Sequence, residues 1–384
     1  LPLACAQSLL QQGVEGGTGG AEVTIIGAGI SGLLIARHLI DQGTPVTLVG
    51  PEDKRQQTLC SWRNIRAPEH YQKHIIGTWN SWQFRVDNTN IIHQADEYWY
   101  EALNGLSFKT SLEAYLLEQR GFTRVRELAE TQRKSNDVFQ IDTASGSFTS
   151  TNLLDSRPPQ FKERTLIQQF YGITIHHDQV HKIAKHPILM DFNIPQINHN
   201  GVVFIYIIPL TQESVLVEAT LFGTSTVEES ILRNLTQNWI NDNCNSDSKN
   251  EPPIFEEKGI IPMGPVSFVH FGKPAGVAAG SARQSSGYAL QGLERQIKRH
   301  EKSNDLNALS KSPYSKLSSW MDDIFLEVIR RNPTFGENIF RVMAKSLKGD
   351  EFAAFMADDF TIQDSLKIVR ALPKLPFLRA LVSR

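Results

Sequence analysis

The chain has 384 residues, a formal net charge of −2 and 40% hydrophobic residues, which excludes a fibrous or disordered protein. The near-neutral charge, without a basic stripe interleaved with aromatic residues, argues against a nucleic-acid-binding protein. The three cysteines, Cys5, Cys60 and Cys244, stand apart, so neither a disulfide framework nor a thiolate zinc site is expected, and a reducing cytosol suits them. No apolar run reaches the roughly 18 residues of a spanning helix.

Residues 1–20 are predicted to form a flexible tail. They lack the basic start of a signal peptide and include the glycine-rich run Gly13–Gly20. We therefore expect this segment to take no part in the chemistry.

The next segment has the pattern of a dinucleotide-binding turn. The β-branched run Val23–Ile26 predicts a buried strand, Leu33–Ile40 a helix and Val46–Val49 a second strand. Glycines at this spacing allow a tight turn, close approach of the backbone to a diphosphate, and packing of the helix on the strand, and the helix N-terminus favours phosphate charge. The predicted cofactor contacts are Gly27, Ala28, Gly29, Ile30, Ser31 and Gly32.

The acidic residue that normally binds the ribose of a dinucleotide is displaced in this sequence. Its usual slot, at the end of the second strand, falls at Gly50. Glu52 and Asp53 follow closely, and we predict Glu52 as the ribose contact.

Later segments indicate further lobes. Aromatic residues are dense over residues 60–100, and the strand that ends at Leu154 is stopped by Pro158 and Pro159. Gly201–Pro209 and Ser214–Phe222 predict a β-hairpin. Gly276–Ser281, which includes Gly280, predicts a second glycine-rich turn over the far end of a dinucleotide. Beyond about Lys311 the pattern is helical.

The fold class predicted from these segments is α/β, with a Rossmann-like dinucleotide-binding domain, an inserted antiparallel β domain and a C-terminal helical region. The expected boundaries are 21–160 and 255–305 for the discontinuous dinucleotide-binding domain, with a substrate-side insertion near 60–105. A substrate-binding β domain is expected at 161–254 and the helical region at 306–384.

Several segments together resemble the flavin-dependent lycopene cyclases of bacterial carotenoid pathways, from about Val23 to Leu381. The segments that carry the resemblance are Ile26–Gly32, Ser61-Trp62, Leu154–Arg157, Pro187–Gln196, Ile207–Leu210, Val215–Glu218, Ser285–Leu290 and Leu372–Phe377. The resemblance implies an enzyme that cyclises the ends of lycopene to β-ionone rings, giving γ-carotene and then β-carotene. It also implies that the Rossmann-like domain is an FAD-binding domain, and that Asp155, Gly287 and Tyr288 lie near the flavin.

The resemblance assigns the acid of this reaction to Glu218. An apolar strand would desolvate that carboxyl and keep it protonated near neutral pH, although strand alternation also allows a solvent-facing side chain. Asp191 is a second acid candidate, or alternatively a turn-capping aspartate. Whether the ring formed is β or ε depends on which proton leaves, and the sequence leaves this open.

The family implies reduced FAD as cofactor without net oxidation of the substrate, with NAD(P)H as its reductant. The implied partner is membrane-dissolved lycopene, met by a cytoplasmic protein that is peripherally bound to the inner membrane. Leu375–Leu378 with Lys374, Arg379 and Arg384 could dock there, or the C-terminal helices could instead form a cap over the flavin lobe. His176, His177, His181 and His186 lack acidic or cysteine ligands at recognised spacing, so no metal is expected. Two alternatives are an FAD-dependent monooxygenase and a non-catalytic carotenoid-binding relative, since Ala219 stands where the family has Asp.

Overall fold

The computed structural model describes residues 22–135, 138–161, 165–176, 183–197, 201–244, 252–264, 266–267 and 271–382. The predicted flexible tail at 1–20 lies outside these residues.

The described residues contain strands in every part of the chain up to residue 274. Their bounds are β1 Val23–Ile26, β2 Val46–Val49, β3 Thr58–Arg63, β4 Ile75–Trp79, β5 Ser81–Val86, β6 Thr89–Gln94, β7 Trp99–Asn104, β8 Phe122–Val125, β9 Thr131–Ser135, β10 Val138–Thr143, β11 Gly146–Ser150, β12 Asn152–Asp155, β13 Gln160–Phe161, β14 Leu166–His176, β15 Ile188–Asp191, β16 Gly201–Pro209, β17 Ser214–Gly223, β18 Phe255–Met263, β19 Val266–Ser267 and β20 Lys273–Pro274.

Helices are concentrated in the last third of the chain. The α-helices are α1 Ile30–Asp41, α2 Glu69–Gln72, α3 Gly105–Leu117, α4 Glu229–Asn243, α5 Leu290–Ser303, α6 Lys316–Arg331, α7 Gly336–Ser346, α8 Gly349–Ala357, α9 Ile362–Ala371 and α10 Lys374–Val382. Short 3-10 segments occupy Gly276–Ala279, Leu306–Ser310 and Pro333–Phe335.

A five-stranded parallel sheet, with the strand order β20-β12-β1-β2-β8, positions the glycine-rich turn. All four residues of β1 and of β2 are buried, as expected for strands that are covered on both faces. Helix α1 packs its apolar face on this sheet beside α3. An antiparallel sheet, in the order β11-β10-β9, covers another part of it through Ile141, which shares a buried cluster with Ile26 and Leu153.

A seven-stranded sheet, in the order β18-β14-β17-β16-β15-β5-β6, forms the opposite wall of the molecule. Strand β17 is buried on both faces. Val215, Val217 and Ala219 pack against α4, whereas Leu216 and Glu218 face a central cavity. The alternation of side chains along a strand therefore separates a dry core from a cavity wall.

The seven-stranded sheet crosses the predicted domain boundaries. Strands β5 and β6 come from the predicted insertion, and β18 comes from the segment that we assigned to the FAD-binding domain at 255–305. The reason is strand pairing: β5 pairs in parallel with β15, and β18 pairs with β14 over nine positions from Leu166 to Thr174. Such pairings between distant segments leave no local pattern in the sequence.

The C-terminal helices pack on the seven-stranded sheet and on the aromatic residues of β3, β5 and β7. Their shared core includes Trp62, Trp82, Ile329 and Phe352. The predicted fold class is thus confirmed: a parallel sheet of the dinucleotide-binding type, antiparallel sheets and a helical C-terminal region. Among the described residues, none of the helices has both the length and the apolar character needed to cross a bilayer.

Candidate active site

One cavity of about 1300 Å³ lies between the parallel sheet, the seven-stranded sheet and the C-terminal helices. It begins at the glycine-rich turn, where Gly27 and Gly29 line it, and passes Tyr288 and Glu218. Its far end is lined by residues of α9 and α10, including Phe377. The cavity therefore joins a nucleotide-type turn to an apolar space in one continuous volume.

The glycine-rich turn is shaped to receive a diphosphate. Gly27 has a φ of +104°, which favours glycine, and a Cβ at Gly32 would lie 1.9 Å from the Gly27 carbonyl oxygen. A Cβ at Gly29 would meet no atom within 4 Å, so the backbone is open there towards the cavity. The first turn of α1 has neither a side-chain cap nor an acidic residue, so its N–H groups are free to bind an anion.

The loop after β2 explains why the acidic slot holds glycine. Gly50 has a φ of +155°, and a Cβ there would lie 3.0 Å from the Ala28 backbone nitrogen. Glu52, the predicted ribose contact, is exposed, pairs with Lys54 at 3.2 Å and lies outside the cavity. Asp53 lines the cavity instead.

Asp53 is held in place by two cations. The carboxylate of Asp53 lies 2.8 Å from Nε of Arg55 and 3.0 Å from Nζ of Lys109. Burial alone would raise the pKa of Asp53, but these hydrogen bonds hold the pKa below its usual range. Asp53 and Arg55 are therefore the residues that could bind a ribose or a phosphate at this end of the cavity.

The other predicted cofactor residues divide into cavity-lining and supporting positions. Gly287 and Tyr288 line the cavity, as do Ala28, Ile30 and Ser31. The structure does not place Gly32, Asp155 or Gly280 on the cavity wall.

The supporting residues hold the turns that do line the wall. Asp155 is fully buried and accepts hydrogen bonds from Nη2 of Arg157 at 2.7 Å and from the backbone N–H of Phe271 at 2.9 Å. Gly280 ends the 3-10 turn with a φ of +79°. The start of this turn abuts the first glycine-rich turn, because a Cβ at Gly276 would lie 2.4 Å from Cβ of Ser31.

Glu218 lies in the middle of the cavity wall and is only 7% exposed. Its carboxylate oxygen Oε1 accepts a hydrogen bond from the Thr220 hydroxyl at 2.9 Å. Burial, together with the nearby charge of Glu257, raises the pKa of Glu218 well above its usual value. The shift favours the protonated form of the carboxyl, and the burial of the side chain excludes the solvent-facing alternative.

Glu257 is a second buried carboxyl on the same wall, and sequence reasoning missed it. Its Oε2 accepts a hydrogen bond from the backbone N–H of Thr58 at 2.7 Å, and burial raises its pKa to about 7. In the sequence, the pair Glu256-Glu257 resembles an exposed edge of β18. The cavity-facing role of Glu257 follows only from the pairing of β18 with β14.

A cluster of buried hydroxyl and thiol groups faces Glu218. The Tyr100 hydroxyl lies 2.5 Å from the Tyr206 hydroxyl and 3.0 Å from the Tyr288 hydroxyl, and Tyr206 donates to Sγ of Cys60 at 3.3 Å. Burial raises the pKa of each tyrosine and raises that of Cys60 to about 12, so these groups are uncharged. The ring of Trp62 packs 4.5 Å from that of Tyr100. This part of the wall is dry and rich in π electrons.

Asp191, the second predicted acid, lies elsewhere. It is 3% exposed, 3.4 Å from Nη1 of Arg85, and accepts a hydrogen bond from the Trp239 indole N–H at 3.4 Å. Its neighbour Met190 lines the cavity but Asp191 does not, since the Asp191 carboxylate is turned towards Trp239 of α4. The structure brings Asp191 together with α4 and not with Glu218.

The histidine cluster of the sequence is only partly described. His186 contacts the Ser81 hydroxyl at 2.6 Å, and His177 and His181 lie outside the described residues. Within the described ranges, no group of three or more His, Cys, Asp or Glu side chains is arranged to hold a metal ion.

Comparison with known proteins gives one family and many structures of the same fold. The family described as "Lycopene cyclase protein" matches residues 22–382. A comparison with curated protein sequences found no match.

The similar solved structures are distant in sequence. p-Nitrophenol 4-monooxygenase PnpA from Pseudomonas putida is 12% identical, with 95% of this chain and 97% of that chain covered and a TM-score of 0.55. A geranylgeranyl bacteriochlorophyll reductase-like protein from Thermoplasma acidophilum is 13% identical, with 94% and 98% covered and a TM-score of 0.55. HpxO from Klebsiella pneumoniae, complexed with FAD and uric acid, is 10% identical, with 88% and 96% covered and a TM-score of 0.59. At these identities the likeness shows the fold alone.

Proposed function

The chain belongs to the lycopene cyclase family, and from that membership we propose that it is a lycopene β-cyclase that closes a β-ionone ring at each end of lycopene. The observation that carries the proposal is the position of Glu218. A buried carboxyl, whose pKa is raised well above its usual value by burial and by the charge of Glu257, stands on the wall of a large apolar cavity, among neutral tyrosines and beside a nucleotide-type turn. This is the environment that acid-initiated cyclisation of a hydrocarbon requires.

The reaction is an isomerisation. Glu218 donates its proton to the terminal double bond of lycopene, which leaves a carbocation, and the neighbouring double bond attacks that cation to close the ring. Loss of a proton from the ring gives the β-ionone end, so atoms and electrons balance without an oxidant. The aromatic rings of Tyr100 and Tyr288, which line the cavity, would stabilise the cation. Trp62 is fully buried against Tyr100, and this packing excludes the water that would quench the cation.

The proposed cofactor is FAD. The glycine-rich turn with the N-terminus of α1 would hold its diphosphate, Asp53 and Arg55 its ribose end, and Gly287 with Tyr288 would lie beside its ring. Reduced FAD supplies an electron-rich ring next to the developing cation. NAD(P)H is proposed as the reductant, on family resemblance alone.

A lipid surface is proposed as the source of substrate. Residues of α9 and α10 line the far end of the cavity, and the same helices expose Val369, Leu375 and Leu378 at 53%, 59% and 55%. Arg379 on α10 provides a cation beside these apolar side chains. We therefore place the protein in the cytoplasm, bound peripherally at the inner membrane.

A flavin monooxygenase remains the second candidate, because PnpA shares the fold over nearly its whole length. Oxygen uptake with the candidate substrate separates the two, since cyclisation consumes none and leaves the mass of the product unchanged. The non-catalytic alternative rested on Ala219. That side chain packs against α4 and not on the cavity wall, so the missing Asp leaves the cavity unchanged.

The test is pigment formation in lycopene-accumulating bacteria. The unaltered chain should convert red lycopene to cyclic carotenes, and Glu218→Gln should leave lycopene unchanged while the protein stays folded and yellow. Glu213→Gln, in the exposed hairpin turn, is the matched control and should cyclise normally. Persistent lycopene with abundant folded wild-type protein would refute the proposed function.

A further inference from the structure

Three neighbouring strands bring two carboxyl groups to one glycine. In the antiparallel register, Gly172 of β14 lies opposite Glu218 of β17 on one side and opposite Glu257 of β18 on the other. Directly opposed residues share a face of the sheet, and both glutamates line the cavity. A Cβ at Gly172 would lie 3.2 Å from Cγ of Glu257 and 3.4 Å from Cβ of Glu218. The two side chains therefore lie on either side of Gly172, with Cδ1 of Leu216 nearest to the position of the missing Cβ at 3.0 Å.

The two carboxyl groups have unequal surroundings. Glu257 accepts the backbone N–H of Thr58 at 2.7 Å, and a hydrogen bond from a main-chain donor stabilises an anion. Glu218 has a single described hydrogen-bond donor, the Thr220 hydroxyl at 2.9 Å. Because two neighbouring carboxylates in a dry site repel each other, one of them keeps a proton. The backbone donor makes Glu257 the anion and Glu218 the acid.

We propose that Glu257 is a second catalytic carboxylate, the base that receives the proton lost by the cyclised cation after Glu218 has protonated the substrate. The inference rests on the proposed cyclisation and adds to it a residue that the family resemblance did not supply. Glu257 reaches the same cavity wall as Glu218 from the opposite side of Gly172.

The protons balance over one ring closure. Glu218 loses its proton to the terminal alkene carbon, and the C–C bond of the ring then forms. The C–H bond of the ring that breaks gives its electron pair to the new double bond and its proton to Glu257. A proton then passes from Glu257 back to Glu218 within the cavity that both side chains line, so the pair returns to its starting state without a co-reactant.

A purely structural role for Glu257 is the competing explanation, since its bond to Thr58 ties β18 to β3. Glu257→Gln separates the two roles, because the amide oxygen still accepts the Thr58 N–H whereas the side chain can no longer take up a proton. The matched control is Glu256→Gln. Glu256 is the preceding residue, and it binds the Tyr171 hydroxyl at 2.6 Å and Arg233 at 3.0 Å outside the cavity.

The experiment measures cyclisation rates and their pH dependence with flavin-loaded protein and lycopene in vesicles. Glu257→Gln should lower kcat by at least about 10²-fold, the usual contribution of a positioned acid or base, with KM and the flavin absorption unchanged. The alkaline limb of the pH profile of this variant's cyclisation rate should move to lower pH, because removal of a neighbouring anion makes Glu218 easier to ionise. Glu257→Asp should restore part of the rate, and Glu256→Gln should match the wild type.

Infrared titration of protonated carboxyl groups provides a readout besides turnover. The infrared band of the protonated Glu218 carboxyl is identified by its absence in Glu218→Gln. In Glu257→Gln this band should disappear at a lower pH than in the wild type. A Glu257→Gln enzyme that cyclises at the wild-type rate with an unchanged pH profile would overturn the inference and leave the proposed function intact. A wild-type protein that makes no ring at all would instead remove the proposed function.

Discussion

At the scale of single residues, the protonation of Glu218 is controlled by the side chains around it. Thr220 is fully buried and its hydroxyl donates to Oε1 of Glu218 at 2.9 Å, which favours the ionised carboxylate. Thr220→Val removes that donor without a large change of volume. The pKa of Glu218 should therefore rise further, and the alkaline limb of kcat/KM should move to higher pH, the opposite direction to Glu257→Gln.

The control for Thr220→Val is Thr174→Val. Thr174 is also buried, and its hydroxyl has no hydrogen-bond partner among the residues that the structure describes. Each substitution is expected to change the free energy of unfolding by no more than about 1 kcal/mol. Equal shifts of the pH profile in both variants would show that the effect is not transmitted through Glu218.

At the scale of the element, substitutions of two glycines in the first glycine-rich turn are expected to have different effects on stability and on flavin binding. Gly32→Ala places a Cβ 1.9 Å from the Gly27 carbonyl oxygen, so β1 and α1 must move apart. We expect a loss of about 1–3 kcal/mol in the free energy of unfolding, measured by chemical denaturation, and loss of bound flavin.

Gly29→Ala separates folding from binding at the same turn. Its Cβ would meet no protein atom within 4 Å, so the unfolding transition should stay close to that of the wild type. The methyl group would occupy the approach of the proposed diphosphate, and the purified variant should lose most of its flavin absorbance. A Gly29→Ala protein that keeps its flavin would place the diphosphate elsewhere.

Helices α1 and α5 are joined by a pair of histidines whose charge state depends on pH. Nε2 of His38 lies 2.9 Å from Nδ1 of His300, and burial, with the proximity of His300, lowers the pKa of His38 to about 4. The unfolded chain binds a proton at His38 near pH 6.5, so it binds more protons than the folded chain between pH 6.5 and 4. Stability contributed by the neutral pair is therefore present above pH 6.5 and is lost as the pH falls.

The expected loss for His38 over that interval is about 2 kcal/mol in the free energy of unfolding, measured by denaturant titration at several pH values. His38→Gln cannot be protonated, so its stability should fall less steeply over the same range. The half-exposed Glu301 lies 3.8 Å from Nδ1 of His38, and its charge is too screened to reverse the sign. Parallel curves for the variant and the wild type would contradict this assignment.

Local patterns predicted elements well where one face of the element is apolar. The turn from β1 into α1, the hairpin of β16 and β17, and most C-terminal helices follow from hydrophobic period and glycine position, within a few residues at each end. The polar composition of residues 241–250 is typical of a surface loop, but α4 continues to Asn243, and residues 245–250 lie outside the described residues. The partners of strands that are distant in the sequence could not be predicted, because hydrogen bonds between backbones carry no side-chain signature.

At the scale of the whole molecule, the cavity joins the nucleotide turn to an exposed apolar surface on α10. The double variant Leu375→Ser with Leu378→Ser removes two exposed apolar side chains at that mouth. We expect weaker sedimentation with vesicles that contain anionic lipid, by roughly tenfold or more in affinity, and slower use of vesicle-borne lycopene.

The matched control for the docking surface is Leu117→Ser with Val138→Ser, which removes two exposed apolar residues from the nucleotide lobe, at 52% and 39% exposure. The control should bind vesicles like the wild type. Equal weakening by both double variants would argue against a docking surface at α10.

The candidate site could be predicted only in the parts that lie within one segment. The glycine turn sits in a strong local pattern, whereas Glu218 was assigned by the family resemblance because strand alternation left the direction of its side chain open. The structure places both on the cavity wall. Glu257, Tyr100 and Tyr206 come from three separate strands, and only the assembled sheets bring them to one wall. Glu52 was chosen by its spacing along the chain. Spacing carries no information about the course of the loop, which leaves the Glu52 side chain in solvent.

The parallel pairing of β5 with β15 affects the order in which the protein can be built. Phe84 pairs with Met190, so a chain leaving the ribosome must expose the aromatic hairpin of β5 and β6 until more than a hundred further residues have been made. Pairings between strands so far apart in the sequence slow folding and leave intermediates that are prone to aggregation. Recombinant production should therefore benefit from slow translation, low temperature or added chaperones, and fragments cut between residues 94 and 188 should aggregate instead of refolding.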